Sequence, residues 1–214
     1  MSKGTSYRRS LIFALSLASL MSLGCNPFTA VYFLFLLPPP KTPAAYEGLE
    51  KQTVVVIAHV GRSVQFQYAG LDNDLVRGVV RELRENVKGI KLADPNQVRH
   101  WKDEHSDWEL TDVGNEFKAT RVVYLEVESF TLYEQQSSQL YRGSCKIRVQ
   151  VADMEKEGEI AFDTHIEQLY PGARPIPSSE LSQDKFRGLY MRFLVRQIAH
   201  QFFEYRPDED FTVN

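Results

Sequence analysis

Thr53–Val60 reads TVVVIAHV, an unbroken run rich in β-branched residues. A strand with one wet face alternates apolar with polar, so a continuous apolar run predicts a strand covered on both faces, as in a parallel sheet. A loop, residues 61–71, is expected next. Beyond it, Leu75, Val76, Val79, Val80, Leu83 and Val87 fall at helical spacing, which predicts a helix over Asp72–Val87 with Asp72 or Asn73 capping its start. Gly89 ends that helix, and Ile90–Ala93 is a short second strand. A strand, a helix and a parallel strand require a right-handed crossover.

Working outward, Asp94-Pro95 opens another helix through Trp101, because proline is tolerated in a first helical turn. Thr111–Ala119 is one more short helix. The second half changes character: Arg121–Tyr133, Leu140–Asp153 and Glu159–Leu169 are three long strands joined by polar turns. In the middle one Cys145, Ile147, Val149 and Val151 point one way and Lys146, Arg148 and Gln150 the other. In the third, Ile160, Phe162 and Ile166 alternate with Asp163, His165 and Glu167. A long helix, Ser182–Tyr205, closes the chain with Phe186, Leu189, Tyr190, Phe193, Leu194 and Phe202 on one broad face. The expected order is β-α-β-α-β-β-β-α, an α/β (α+β) fold with helices packed on a mixed sheet.

The 214 residues are 43% hydrophobic and 25% charged, too apolar for a disordered chain and too short for several large domains. A net charge of −3 argues against a nucleic-acid partner, since neutralising phosphates needs a basic surface. Residues 1–45 hold Lys3, Arg8, Arg9 and Lys41 and no acid, and Ser10–Pro40 carries no charged side chain at all. Leu11–Leu23, behind Tyr7-Arg8-Arg9, has the form of a signal-peptide core. Phe28–Leu37 is a second apolar segment, closed by Pro38-Pro39-Pro40. The bases precede the apolar run, so the positive-inside rule sends the rest of the chain across the membrane.

Met21–Cys25, MSLGC, resembles a bacterial lipoprotein box, with Ser22 standing where that pattern prefers leucine. The resemblance implies acylation of Cys25 and attachment to membrane lipid. The alternative is one uncleaved membrane helix over Leu11–Leu37, long enough to span but interrupted by Asn26-Pro27. The expected organisation is a signal peptide over 1–25, a membrane-proximal tether over 26–52, one domain over 53–205 and a polar tail over 206–214.

The strand-helix-strand start, followed by VGNEFKATRVVYLEVESF and a long hairpin, resembles the amino-terminal domain of TolB. It is similar also to the curli-secretion and related envelope lipoproteins of that α/β fold. The GCNP start is like that of a group of uncharacterised bacterial lipoproteins. These resemblances imply an assembly, transport-accessory or adaptor role among other envelope proteins, and they bring no catalytic residue with them.

The residues themselves point to no chemistry. No two of His59, His100, His105, His165 and His200 have the i, i+4 spacing of a zinc helix. There is no G-x-S-x-G elbow and no glycine-rich phosphate loop. Cys145 sits on an apolar strand face, where a thiol is a small hydrophobe. Glu126 and Glu128 share a sheet face, with Arg142, Lys146 and Arg148 as cross-strand partners. No catalytic residue, metal site or cofactor is assigned. Two segments are left as contact surfaces. One is Gly61–Leu71, with Arg62, Phe66 and Tyr68, at the carboxyl end of the first strand where open α/β sheets place ligands. The other is Tyr170–Ser179, with Tyr170, Arg174 and Ile176, whose prolines hold it extended. The expected function is a non-enzymatic, membrane-anchored envelope protein acting through other envelope proteins. A small-ligand or glycan site on 61–71 is the alternative, and the sequence leaves homo-oligomers open.

Overall fold

The computed structural model describes residues 41–207; Cys25 and the 26–40 part of the expected tether lie outside them. Among the described residues, β1 (Thr53–Val60) is followed by α1 (Arg62–Gln67), α2 (Leu71–Asn86), β2 (Lys91–Leu92), α3 (Pro95–Glu104) and α4 (Leu110–Glu116). Then come β3 (Arg121–Tyr133), β4 (Leu140–Asp153), β5 (Glu159–Tyr170), β6 (Ile176–Pro177) and α5 (Gln183–Ala199). The sheet runs β2-β1-β3-β4-β5, with β6 also on β4. β1 is parallel to β2 and to β3, from Val54 opposite Arg121 to Val60 opposite Val127, and the remaining pairs are antiparallel. This is the expected mixed sheet with helices packed on it.

β1 is covered on both faces, as its composition requires. Val54, Val56 and Ala58 join Leu125 of β3 and Ile147, Val149 and Val151 of β4 beneath α2 and α5, which contribute Leu75, Val79, Leu83, Phe186, Tyr190 and Leu194. Val55 and Ile57 join Val122, Ala152, Val98 and Val113 beneath α3 and α4. The second cover is short. Beyond it the β3–β5 face is open and carries a ladder of charges. Arg148 grips Asp163 with two bonds of 2.9 and 2.5 Å, and those bonds hold the Asp163 carboxyl below its usual range. Lys146 reaches Glu167 at 3.4 Å and His165 reaches Glu128 at 3.3 Å. Lys146 and Arg148 therefore pair with β5 rather than with the β3 glutamates. Arg142 binds Glu134, at the end of the hairpin, at 2.8 Å.

Four local expectations are corrected by tertiary contacts. The start of α2 is capped by Gly70 in the left-handed conformation, φ 77°. Asp72 is instead buried in the first turn, where it accepts a hydrogen bond from Lys102, which also donates to the Ala58 carbonyl at 3.0 Å. Residues 61–71 are not a loop, because Val64 and Tyr68, one turn apart, both bury and wind the segment into α1. The last helix stops at Ala199 instead of Tyr205. Its continuation is pulled away by pairing with the N-terminal segment: Thr42 and Tyr205 exchange backbone bonds of 2.7 and 3.0 Å, and Tyr46 donates to the Gln201 carbonyl at 2.8 Å. For the same reason residues 41–52 pack as part of the domain, with Leu49 fully buried and Tyr46 against Phe162 and Phe202.

Candidate functional site

Both expected contact segments lie at one end of the sheet, since β1, β3 and β5 all finish there and β4 begins there. A chain of ring contacts joins them through the core. Tyr68 meets Phe130 at 4.9 Å, Phe130 meets Tyr190 at 5.5 Å, and Tyr190 stacks on Tyr170 at 6.2 Å. Aromatic rings give large burial per residue and prefer these offset and tilted geometries. These contacts link the two segments through the core.

The structure divides the six expected residues into two kinds. Tyr68 is 7% exposed, and its hydroxyl accepts from the Leu132 amide at 3.3 Å, so it is a core residue and not a contact residue. Tyr170 packs against Phe186 and Phe193, at 6.2 and 5.1 Å. Ile176 is paired with Tyr141 in the sheet, so the Tyr170–Ser179 segment is not a free extended strand waiting for a partner. Arg142 ties it down further, donating to the carbonyls of Pro171, Gly172 and Ala173 at 3.3, 3.3 and 3.2 Å. Arg62, Phe66 and Arg174 remain exposed.

Phe66 is the outlier, with 94% of its surface in water. Its helix is held from beneath by buried Val64 and Tyr68, on either side of it in sequence. Arg62 is four residues earlier, so it shares the outward face of α1. The result is an aromatic ring projecting into solvent with a guanidinium on the same face, carried on a helix that packs against the core.

Burial shifts two titratable groups of the core. Burial pushes the Cys145 thiol up to about 12, which removes the thiolate that nucleophilic attack requires. Burial raises the Tyr190 phenol as well. His105 stacks on Trp101 at 4.5 Å, and among the described residues no three of His, Cys, Asp and Glu gather where they could hold a metal. None of the described helices is long and apolar enough to cross a membrane.

A groove of about 400 Å³ separates α2 from α5, lined by arginines of both helices. Neither helix alone signals it, because arginines on the outer face of an amphipathic helix are ordinary.

No protein-family model matches the chain, and no curated protein matches it. Several solved structures have a similar chain path. The lipoprotein GNA1162 from Neisseria meningitidis is 11% identical over 69% of this chain and 97% of that one, with a TM-score of 0.44. PelC from Paraburkholderia phytofirmans, crystallised as a dodecamer, is 10% identical over 77% and 96%, with a TM-score of 0.48. The hypothetical protein CT253 from Chlamydia trachomatis is 14% identical over 68% and 92%, with a TM-score of 0.44. The likeness is one of chain path and assigns no residue and no activity.

Proposed function

We propose that this chain is a non-enzymatic, membrane-anchored protein of the bacterial cell envelope that acts as an assembly, transport-accessory or adaptor component. It does so by direct contact with other envelope proteins. The observation that carries the reading is Phe66, a large apolar ring left in water on a helix whose other face is buried through Val64 and Tyr68. Binding energy at protein interfaces concentrates in aromatic and arginine anchors that enter pockets on the partner, and Phe66 with Arg62 has that form. The ring projects into solvent, which supports a protein partner with a matching pocket over a small ligand or glycan held on 61–71. The assembly or transport side of the reading draws on the resemblance of residues 53–205 to the TolB amino-terminal and curli-secretion families. The anchor draws on Met21–Cys25.

A photoreactive phenylalanine at position 66, expressed in the native envelope, is expected to crosslink one discrete envelope protein. The same group at Glu157, in the turn before β5, is expected to crosslink none. Arg62→Glu in the chain carrying the probe should abolish capture while shifting stability by no more than about 0.5 kcal/mol, as exposed positions do. Crosslinking that is equal at both positions, or that survives Arg62→Glu, would sink the proposal.

The anchor has its own test. Cys25→Ser is expected to leave an exported precursor of full length by intact mass, because the lipoprotein peptidase acts only on the acylated cysteine. Processing of the variant to the same mature size as the parent protein would count against acylation.

A further inference from the structure

The groove between α2 and α5 has an apolar floor and a cationic rim. Gly78 and Val195 bring the two helices together, so closely that a Cβ on Gly78 would stand 2.5 Å from the valine side chain. Gly188 faces open space, with nothing but the Arg192 guanidinium within 4 Å. Met191 and Val195 complete the floor. The rim holds Arg77, Arg81, Arg187 and Arg192 against Asp74 and Asp184. Arg187 is committed to Asp74 at 2.8 Å, whereas Arg77 is bonded to the neutral side chain of Asn96 at 3.0 Å. Arg81 has a loose 3.6 Å contact with its neighbour Glu82. Arg192 has no ion pair and no side-chain hydrogen bond among the described residues. Positive charge is thus concentrated and largely unspent on one face of a chain with net charge −3.

The position of that face matters as much as its charge. α2 and α5 run side by side in the same direction, Asp74 meeting Arg187 and Gly78 meeting Val195. Their carboxyl ends therefore lie together. The N-terminal segment joins the domain at that end, through the ion pair of Lys41 with Glu204 and the pairing of Thr42 with Tyr205. From Arg192 to the last residue of α5, Ala199, is about 10 Å along the helix. The arginine face thus lies about two helical turns from the point where residues 41–46 join the domain.

We propose that the α2–α5 groove binds the phosphate of an anionic phospholipid headgroup, with arginines on the phosphate and the glycerol over the apolar floor. The domain then lies on its own membrane through this face, leaving Phe66 for a protein partner. Arginine suits phosphate because its planar fork donates two parallel hydrogen bonds. The inference rests on the anchored reading for delivery to a bilayer, not for the chemistry of the groove.

The test uses the full-length protein mixed with vesicles of phosphatidylcholine alone or with phosphatidylglycerol added. Flotation is measured together with arginine labelling by phenylglyoxal, mapped by mass spectrometry. Labelling of Arg81 and Arg192 is expected to fall about fivefold on the anionic vesicles relative to the neutral ones, since each such contact contributes about 1 kcal/mol. At about 0.5 M salt the protection should be lost through screening. Arg81→Glu combined with Arg192→Glu, both at exposed positions, should abolish protection of Arg77 without lowering the melting temperature. Equal labelling on the two vesicles would overturn the proposal. So would equal protection by inorganic phosphate without vesicles, which would mark a soluble phosphate site. Protection in native membranes but not on anionic vesicles would assign the groove to an acidic protein and overturn it too. Failure to float on neutral vesicles speaks only against the anchor, because protection on anionic ones is read separately.

Discussion

Val149→Asp is expected to leave the domain unfolded at room temperature. Val149 lies in the middle of β4, opposite Leu125 of β3 and Thr164 of β5, and is fully buried in the core beneath α2 and α5. An aspartate there has no cation and no spare donor, because the backbone groups around it are already used by the sheet. Burying a carboxylate unpaired, or holding it protonated, costs several kcal/mol. That is comparable with the whole stability of a domain this size, about 5–15 kcal/mol. Circular dichroism of the variant should show the cooperative melt gone, and an unchanged melting temperature would show that Val149 does not face the core. Arg148→Asp supplies the contrast one residue away. Its side chain is 36% exposed on the open face, so the melt should survive with a much smaller shift.

Tyr190→Ala is the second large effect, with an expected loss of about 3–5 kcal/mol, the range for removing a buried aromatic ring. Tyr190 is fully buried, with Phe130 at 5.5 Å, Tyr170 at 6.2 Å and Phe186 at 6.4 Å. On its remaining side the ring lies against Gly143 of β4, where a Cβ would come within 2.4 Å of ring atoms. Neither α5 nor β4 can collapse into the space the ring leaves, so the cavity stays open. Tyr190→Phe separates ring from hydroxyl. The hydroxyl's one bond, to the Gln168 carbonyl, is long at 3.5 Å, so its loss should cost no more than about 1 kcal/mol. Chemical denaturation of the two variants measures both numbers. A small effect of the alanine variant would mean that the aromatic end is not the packed support on which the role of Phe66 depends.

That support is where local sequence and tertiary structure part company. The pair Val64 and Tyr68 carries a helical spacing within 61–71, yet the segment also reads as a polar loop with scattered aromatics. What turns Tyr68 inward is Phe130 and the Leu132 amide of β3, some sixty residues away. With Tyr68 gone inward, Phe66 is left outside. Tyr170 and Ile176 turn inward for a similar reason: α5 and β4 offer them rings and backbone partners that only the folded chain brings near.

Elements whose side chains obey a strict period are specified locally, by their own residues. The alternation through Cys145, Ile147, Val149 and Val151 defines the buried face of β4, because a strand sends successive side chains to opposite sides whatever surrounds it. The apolar run Thr53–Val60 likewise defines a doubly covered strand, and the spacing from Leu75 to Leu83 defines the inward stripe of α2. Where those elements end, and what their outer faces do, follows from packing between distant segments. Residues 41–52 join the domain because Thr42 meets Tyr205 and Leu49 finds the core. The arginine groove exists because Gly78 lets α5 approach α2, which brings Arg187 to Asp74 across 113 residues of chain. Periodicity reports which side of a segment is apolar, a property of the segment alone. Which two polar sides come to face one another depends on packing between segments, and no local pattern carries it.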